Sequence, residues 1–169
     1  MANPHVDQIR GVGEPARQYM WNIIIPGSLP GGASGGGNDN TQFTYRAMST
    51  TVPDKVIEAY EHQYKSTKTR FAGRDASAKT FDVTFFDSTD LFIYKSLWNW
   101  NDYALLQDKS NYKLDTLTME LLDRQDSTIM TVNLIDVWPE NVQALTLDYT
   151  ANDPINVVVT LSYDDMEIS

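Results

Sequence analysis

The chain has 169 residues, no cysteine and a formal net charge of −10 at pH 7, from 13 Lys and Arg against 23 Asp and Glu. That length suits one domain with a full hydrophobic core, and the missing thiols exclude disulfide frameworks, thiolate metal sites and cysteine nucleophiles. The excess of acid argues against groove-reading nucleic-acid binding and against anchoring on anionic lipid. No apolar run approaches the roughly 20 residues that span a bilayer, and residues 1–11 have neither a basic nor an apolar leader pattern. A cytosolic, unprocessed protein without a membrane anchor is expected.

In chain order, residues 1–16 are expected as an N-terminal arm. Residues 18–25 and 42–50, rich in aromatic and β-branched side chains, predict a hairpin with a long tip. The tip, residues 29–40, holds five of the nine glycines and reads as a connector. It lacks the Lys-Ser or Lys-Thr ending of a phosphate cradle. Strands are predicted over 56–65, 79–86, 116–122, 128–137, 145–149 and 155–163. Between two of them, residues 66–74 read as an extended or bent connection, so that 53–79 as a whole projects from the domain. One helix is predicted over 88–103, capped by Asp87 or Ser88, with Asp90 in its first turn and Leu91, Tyr94, Leu97 and Trp98 at helical spacing. Trp98 and Trp100 fall on different faces of that helix.

Charge is divided along the chain. Residues 1–79 carry nine basic and seven acidic side chains, and residues 80–169 carry four and sixteen. Lys65, Lys68, Arg70, Arg74 and Lys79 form a basic segment ahead of an acidic half, a polarity suited to head-to-tail association.

Material for catalysis is scarce. His5 and His62 are the two histidines, both read as surface residues. Asp164 and Asp165 are adjacent, so on a regular strand they point to opposite faces and do not converge on a substrate. Glu58 with Glu61, and Asn38-Asp39-Asn40, lack the spacing of a glycosidase pair or a calcium loop. No catalytic residue, cofactor site or metal site is nominated, and the protein is expected not to be an enzyme.

The C-terminal third carries a recognisable pattern: Asp136-Val137-Trp138-Pro139-Glu140-Asn141-Val142, then Leu145-Thr146-Leu147-Asp148-Tyr149, then the alternating residues 157–164. Upstream stand Phe71-Ala72-Gly73-Arg74, then Phe81-Asp82-Val83-Thr84-Phe85, then an Asp-led helix. This order resembles the tail tube proteins of contractile-tailed bacteriophages over most of residues 15–169, with Trp138, Pro139 and Asn141 as its most specific element. On physical grounds Pro139 should end a strand at Trp138, with Asn141 bonding backbone in a tight bend. The glycine-rich connection looks longer than is usual in that family, and its expected place is outside the tube, near the sheath.

The resemblance implies a mainly β fold with one helix, a two-sheet sandwich or barrel-like domain, whose strands complete an inner barrel in a hexameric ring. Residues 42–50, 56–65, 116–122 and 128–137 are the candidates for those strands. It further implies stacking of rings into a conduit for genomic DNA inside a contractile sheath, as part of a virion made in the bacterial cytoplasm. Implied partners are further copies of the chain, the sheath protein, a baseplate or tube initiator, a tail terminator and a tape-measure protein, with double-stranded DNA in transit and not specifically bound. Tailocin and type VI secretion tubes share the fold. A β-sandwich carbohydrate-binding module is the alternative from another class.

Period-2 alternation places Thr116, Thr118 and Glu120 on one strand face, Thr131 and Asn133 on another, and Gln42, Thr44 and Arg46 on a third. With the resemblance, these eight are the candidates for the tube lumen, and Arg46 is the one cation among them. Lys68, Arg70 and Arg74 are the candidates for contact with the adjacent ring.

Overall fold

The computed structural model describes residues 16–25, 28–32, 40–106 and 111–169. The arm expected over 1–16, apart from Ala16, lies outside the described residues, as do residues 33–39 of the glycine-rich connection, His5, Asn38 and Asp39.

Mainly β structure is observed. The elements are β1 (Trp21–Ile24), α1 (Asn40–Arg46), β2 (Ala47–Thr50), β3 (Ile57–Tyr64), β4 (Thr67–Asp75), β5 (Thr80–Phe86), α2 (Phe92–Leu105), β6 (Leu114–Leu122), β7 (Thr128–Val142), β8 (Asn156–Ser162) and β9 (Asp165–Ile168), with a 3-10 turn at Pro30–Gly32. Hydrogen bonding runs β1-β6-β7-β8-β5-β2, with β9 also on β7, and β3-β4 forms a separate pair.

β7 is the shared strand. Its first part lies between β6 and β9, with Leu134 opposite Leu117 and Met166. Its last part pairs with β8, Trp138 opposite Ser162 and Val142 opposite Val159. The change of partner falls at Asp136, which adopts a φ of 56°, a local reversal that re-aims a strand. Two antiparallel layers, β1-β6-β7-β9 and β7-β8-β5-β2, thus bury their alternating apolar residues in one core. Ile23, Leu117, Val132 and Leu134 come from the first layer, and Val83, Phe85, Val157 and Val159 from the second.

α2 covers this core through Ile93, Leu97 and Trp100. The Trp100 indole donates to the Tyr112 carbonyl at 2.7 Å, and the Asn101 amide to the Pro139 carbonyl at 2.8 Å. The helix begins four residues later than expected, because Leu91 takes a left-handed conformation (φ 50°). The buried face is also turned from the predicted stripe: Ile93, Ser96, Leu97 and Trp100 are inside, and Trp98 is 55% exposed.

Four further expectations are corrected. Residues 42–50 are not one strand and do not form a hairpin with 18–25: Asn40–Arg46 is helical, β2 pairs with β5, and β1 pairs with β6. A seven-residue helix is marginal alone, and tertiary anchors hold this one. Phe43 is fully buried edge-on to Phe85, with ring centroids 5.7 Å apart, and the Thr44 hydroxyl donates to the Ile23 carbonyl at 2.6 Å. Residues 66–74 are extended, one of the two forms expected of them, but they are a paired strand and not a connection between strands: they lie mostly in β4. Pro139 does not end its strand. It sits opposite Leu161, with a register shift before Asn141, and a bulge is where a sheet accommodates a residue without an N–H. Residues 145–149 form no strand; there the Asp148 carboxylate accepts from the Thr150 N–H and hydroxyl at 2.9 and 2.8 Å, closing a turn.

Candidate assembly surfaces

The β3-β4 hairpin is the first surface. A two-residue turn at Lys65-Ser66, with Lys65 at φ 53°, sets a register in which Tyr60 faces Phe71, His62 faces Thr69 and Tyr64 faces Thr67. Because opposed residues share a face, that face carries three aromatic rings. The other face brings Glu61 opposite Arg70 and Gln63 opposite Lys68, and Arg70 holds the Glu61 carboxylate at 2.6 Å. Near the base, a Cβ on Gly73 would stand 2.6 Å from the Glu58 carbonyl oxygen, so the strands approach there only because position 73 is glycine. At the root, the Val56 N–H donates to the Ser77 hydroxyl at 2.9 Å, and the Asp75 carboxylate accepts from the Ser77 N–H and hydroxyl. Those two bonds lower the Asp75 pKa. Every residue of both strands is exposed.

The second surface is the outer face of β1-β6-β7-β9. Ladder register aligns Asn22, Glu120 and Thr131 in one row. Ile24, Thr118, Asn133 and Glu167 make the next, followed by Thr116, Ile135 and Asp165. Thr118 donates to the Asn133 side-chain oxygen at 3.0 Å, and Leu117, Met119, Val132 and Leu134 point to the core. Five of the eight polar candidates, Thr116, Thr118, Glu120, Thr131 and Asn133, therefore share one face, with no cation in these rows.

Gln42, Thr44 and Arg46 do not join it, since they lie on α1. The Arg46 guanidinium instead reaches the Asp87 carboxylate at 2.9 Å and Asp90 at 3.2 Å. Asp87, its side chain fully buried, also accepts from the Ile93 and Tyr94 N–H groups at 3.4 and 2.9 Å, capping α2 from outside the helix. Asn22 and Glu167 escaped the sequence reading, and Asp165 entered it only as half of a carboxylate pair that does not converge on a substrate. β9 is four residues long, too short for a periodic signal, although its Asp-Met-Glu-Ile alternation is visible in retrospect.

The third surface is a crevice of about 860 Å³ beneath residues 143–155, lined by Leu147, Asp148, Tyr149, Asp153, Ile155 and Val158 among others. Leu147 is 81% exposed. Elsewhere, Asp164 pairs with Lys113, and its carbonyl accepts from the Lys79 ammonium at 2.8 Å. Among the described residues, no group of three His, Asp or Glu is placed to hold a metal ion, and no helix is long and apolar enough to cross a membrane.

Strand order, shared β7, covering helix and standing hairpin can be compared with known proteins. No family model matches the sequence. The chain is 24% identical over 158 residues to the tail tube protein of Serratia phage KSP90, covering 88% of this chain and 87% of that one. Its fold is similar to a chain of the sheath-tube complex of an extracellular contractile injection system, PVC, in the extended state: TM-score 0.62, 14% identity, 100% and 98% of the two chains covered. The fold is that of a contractile-system tube protein. Also similar in fold are a chain of the PVC sheath/tube terminator (TM-score 0.64, 16% identity, 94% and 99% covered) and one of the anti-feeding prophage tube-terminating cap (TM-score 0.63, 11% identity, 93% and 92% covered). These relatives are structural proteins, in agreement with the expectation of a non-enzymatic role.

Proposed function

We propose that this chain is the tube subunit of a contractile phage tail, with six copies closing a ring and rings stacking into a hollow conduit for DNA. The observation that carries this reading is the similarity to a phage tail tube protein along nearly the whole chain, together with the tube-protein fold. Sixfold closure is supported by likeness to a chain of the 6-fold symmetrised anti-feeding prophage baseplate (TM-score 0.59, 14% identity, 93% and 97% covered). It also gives the edges of the sheet a use: β1 and β2 end the strand path, and an open edge invites pairing with another copy.

The proposed partners are the sheath around the tube, a baseplate or initiator, a terminator and a tape-measure protein, in a virion assembled from protein made in the bacterial cytoplasm. The outer face bearing Thr116, Thr118, Glu120, Thr131 and Asn133 lines the lumen. Duplex DNA carries one charge about every 1.7 Å of axis and binds basic surfaces by releasing counterions, so a wall without cations lets it slide. The hairpin, with Lys68, Arg70 and Arg74, contacts the adjacent ring. Use in a tailocin or type VI-like secretion device is the second reading, favoured by the likeness to chains of an extracellular contractile injection system, PVC.

Negative-stain microscopy of the purified chain at high concentration, alone and seeded with tube fragments, tests the proposal. Sixfold rings or hollow tubes are expected. Monomers alone under both conditions would overturn it, and a carbohydrate-binding module would give that result.

A further inference from the structure

The hairpin and the crevice lie at opposite ends of one ladder. β5 and β8 pair from Thr80 opposite Ser162 to Phe86 opposite Asn156, about 20 Å at the rise of an antiparallel strand. The hairpin leaves at the Thr80 end, where the Lys79 carbonyl accepts from the Tyr163 N–H at 3.1 Å and the Ala76 N–H bonds Val56. The crevice opens at the Asn156 end, where Asp87 N–H bonds the Ile155 carbonyl at 2.9 Å. Every hairpin residue is exposed, so the hairpin stands clear of its own body.

The two ends are also chemically matched. The hairpin presents Tyr60, Tyr64 and Phe71 on one face, and Lys65 and Lys68 about its tip. The crevice presents apolar Leu147 and Ile155 with Asp148 and Asp153, and the sequence has no lysine or arginine after Arg124. We infer that the crevice under residues 143–155 of one copy receives the hairpin tip of a second copy between its walls, the aromatic face against Leu147 and Ile155, and the turn residue Lys65 with Lys68 of the hairpin's other face toward Asp148 and Asp153. A knob and a hole at opposite ends of one element make a heterologous contact that repeats by translation and does not close. This names the receptor of the ring-to-ring contact and rests on the tube reading.

The absence of native cysteine gives a test without background. Tyr64→Cys and Leu147→Cys are made in separate full-length chains, mixed, assembled, and treated with a short bismaleimide. A cross-linked dimer is expected in the mixture and in neither variant alone. Adding Lys65→Glu and Lys68→Glu to the Tyr64→Cys chain should lower the yield at least fivefold at low salt, and less at high salt. Tubes visible by microscopy in the mixture without that dimer would overturn the inference and leave the tube reading standing. Failure of the unsubstituted chain to form rings or tubes, with seeds present, would remove the tube reading and the inference with it. A dimer yield indifferent to the lysine substitutions would overturn the charge pairing.

Discussion

Asp87 is where sequence, packing and local structure meet. Its buried carboxylate holds Arg46 of α1 while accepting two N–H bonds at the start of α2, so one side chain fixes both helices to the core. Without it Arg46 would keep Asp90, but the Ile93 and Tyr94 N–H groups would lose their acceptor, and a buried donor left unsatisfied costs about 1–3 kcal/mol. Asp87→Ala should therefore lower stability by about 2–3 kcal/mol, read as a shift of the urea midpoint with unchanged slope. Asp90 is exposed, and its contribution is pH-dependent. Hydrogen bonds from Ser88, then Arg46 and the Phe92 N–H, hold its carboxyl well below the usual carboxylate range. A depressed folded pKa gives stability that is complete above the unfolded value of about 3.9 and is lost as the pH falls through the folded value. Asp90→Asn should accordingly lower the melting temperature at pH 6 and shrink its drop between pH 6 and pH 3.

At the scale of elements, the strands that alternate cleanly were legible: β5, β6 and β8 lie within a residue or two of the predicted bounds, because their apolar positions feed a single core from two layers. The same alternation misled at 42–46, where Phe43 needs one socket against Phe85 and a helical turn supplies it. It misled again at 145–149, where Leu-Thr-Leu-Asp-Tyr has strand composition, but β7 and β8 are already joined by Val142 opposite Val159 and by the Gln143 N–H donating to the Val158 carbonyl, which leaves the segment no ladder. Of the polar candidates, those on β6 and β7 fall on one face because pairing joined two faces whose alternation was read correctly. The hairpin is an element without burial, which separates its role from stability. Lys68→Glu, Arg70→Glu and Arg74→Glu together should leave the melting curve within the shift typical of surface changes, about 0.5 kcal/mol, and shorten or abolish tubes under the microscope. Normal tubes across a range of salt would count against the ring-to-ring contact.

For the whole molecule, the proposed sixfold repetition would turn small surface terms into large ones. Thr118→Lys with Glu120→Lys would place twelve new cations in each proposed ring, on a face whose aligned rows have none. Assembly should persist, with DNA ejection slowed at low salt and restored as salt rises; unchanged ejection through intact tubes would remove these residues from the lumen. The bare hairpin has a further, kinetic consequence. Two strands with no third layer are marginal in water, so a free copy holds its docking element correctly formed for only part of the time. Apparent affinity between free copies falls by that fraction, and in the proposed tube a completed ring, which offers several crevices at once, offsets the loss as a pair of free copies does not. In the proposed tube, growth from an existing end therefore outpaces the birth of new ends: purified protein should polymerise after a lag that a trace of sheared tubes abolishes, and mean tube length should fall as more starting points are supplied.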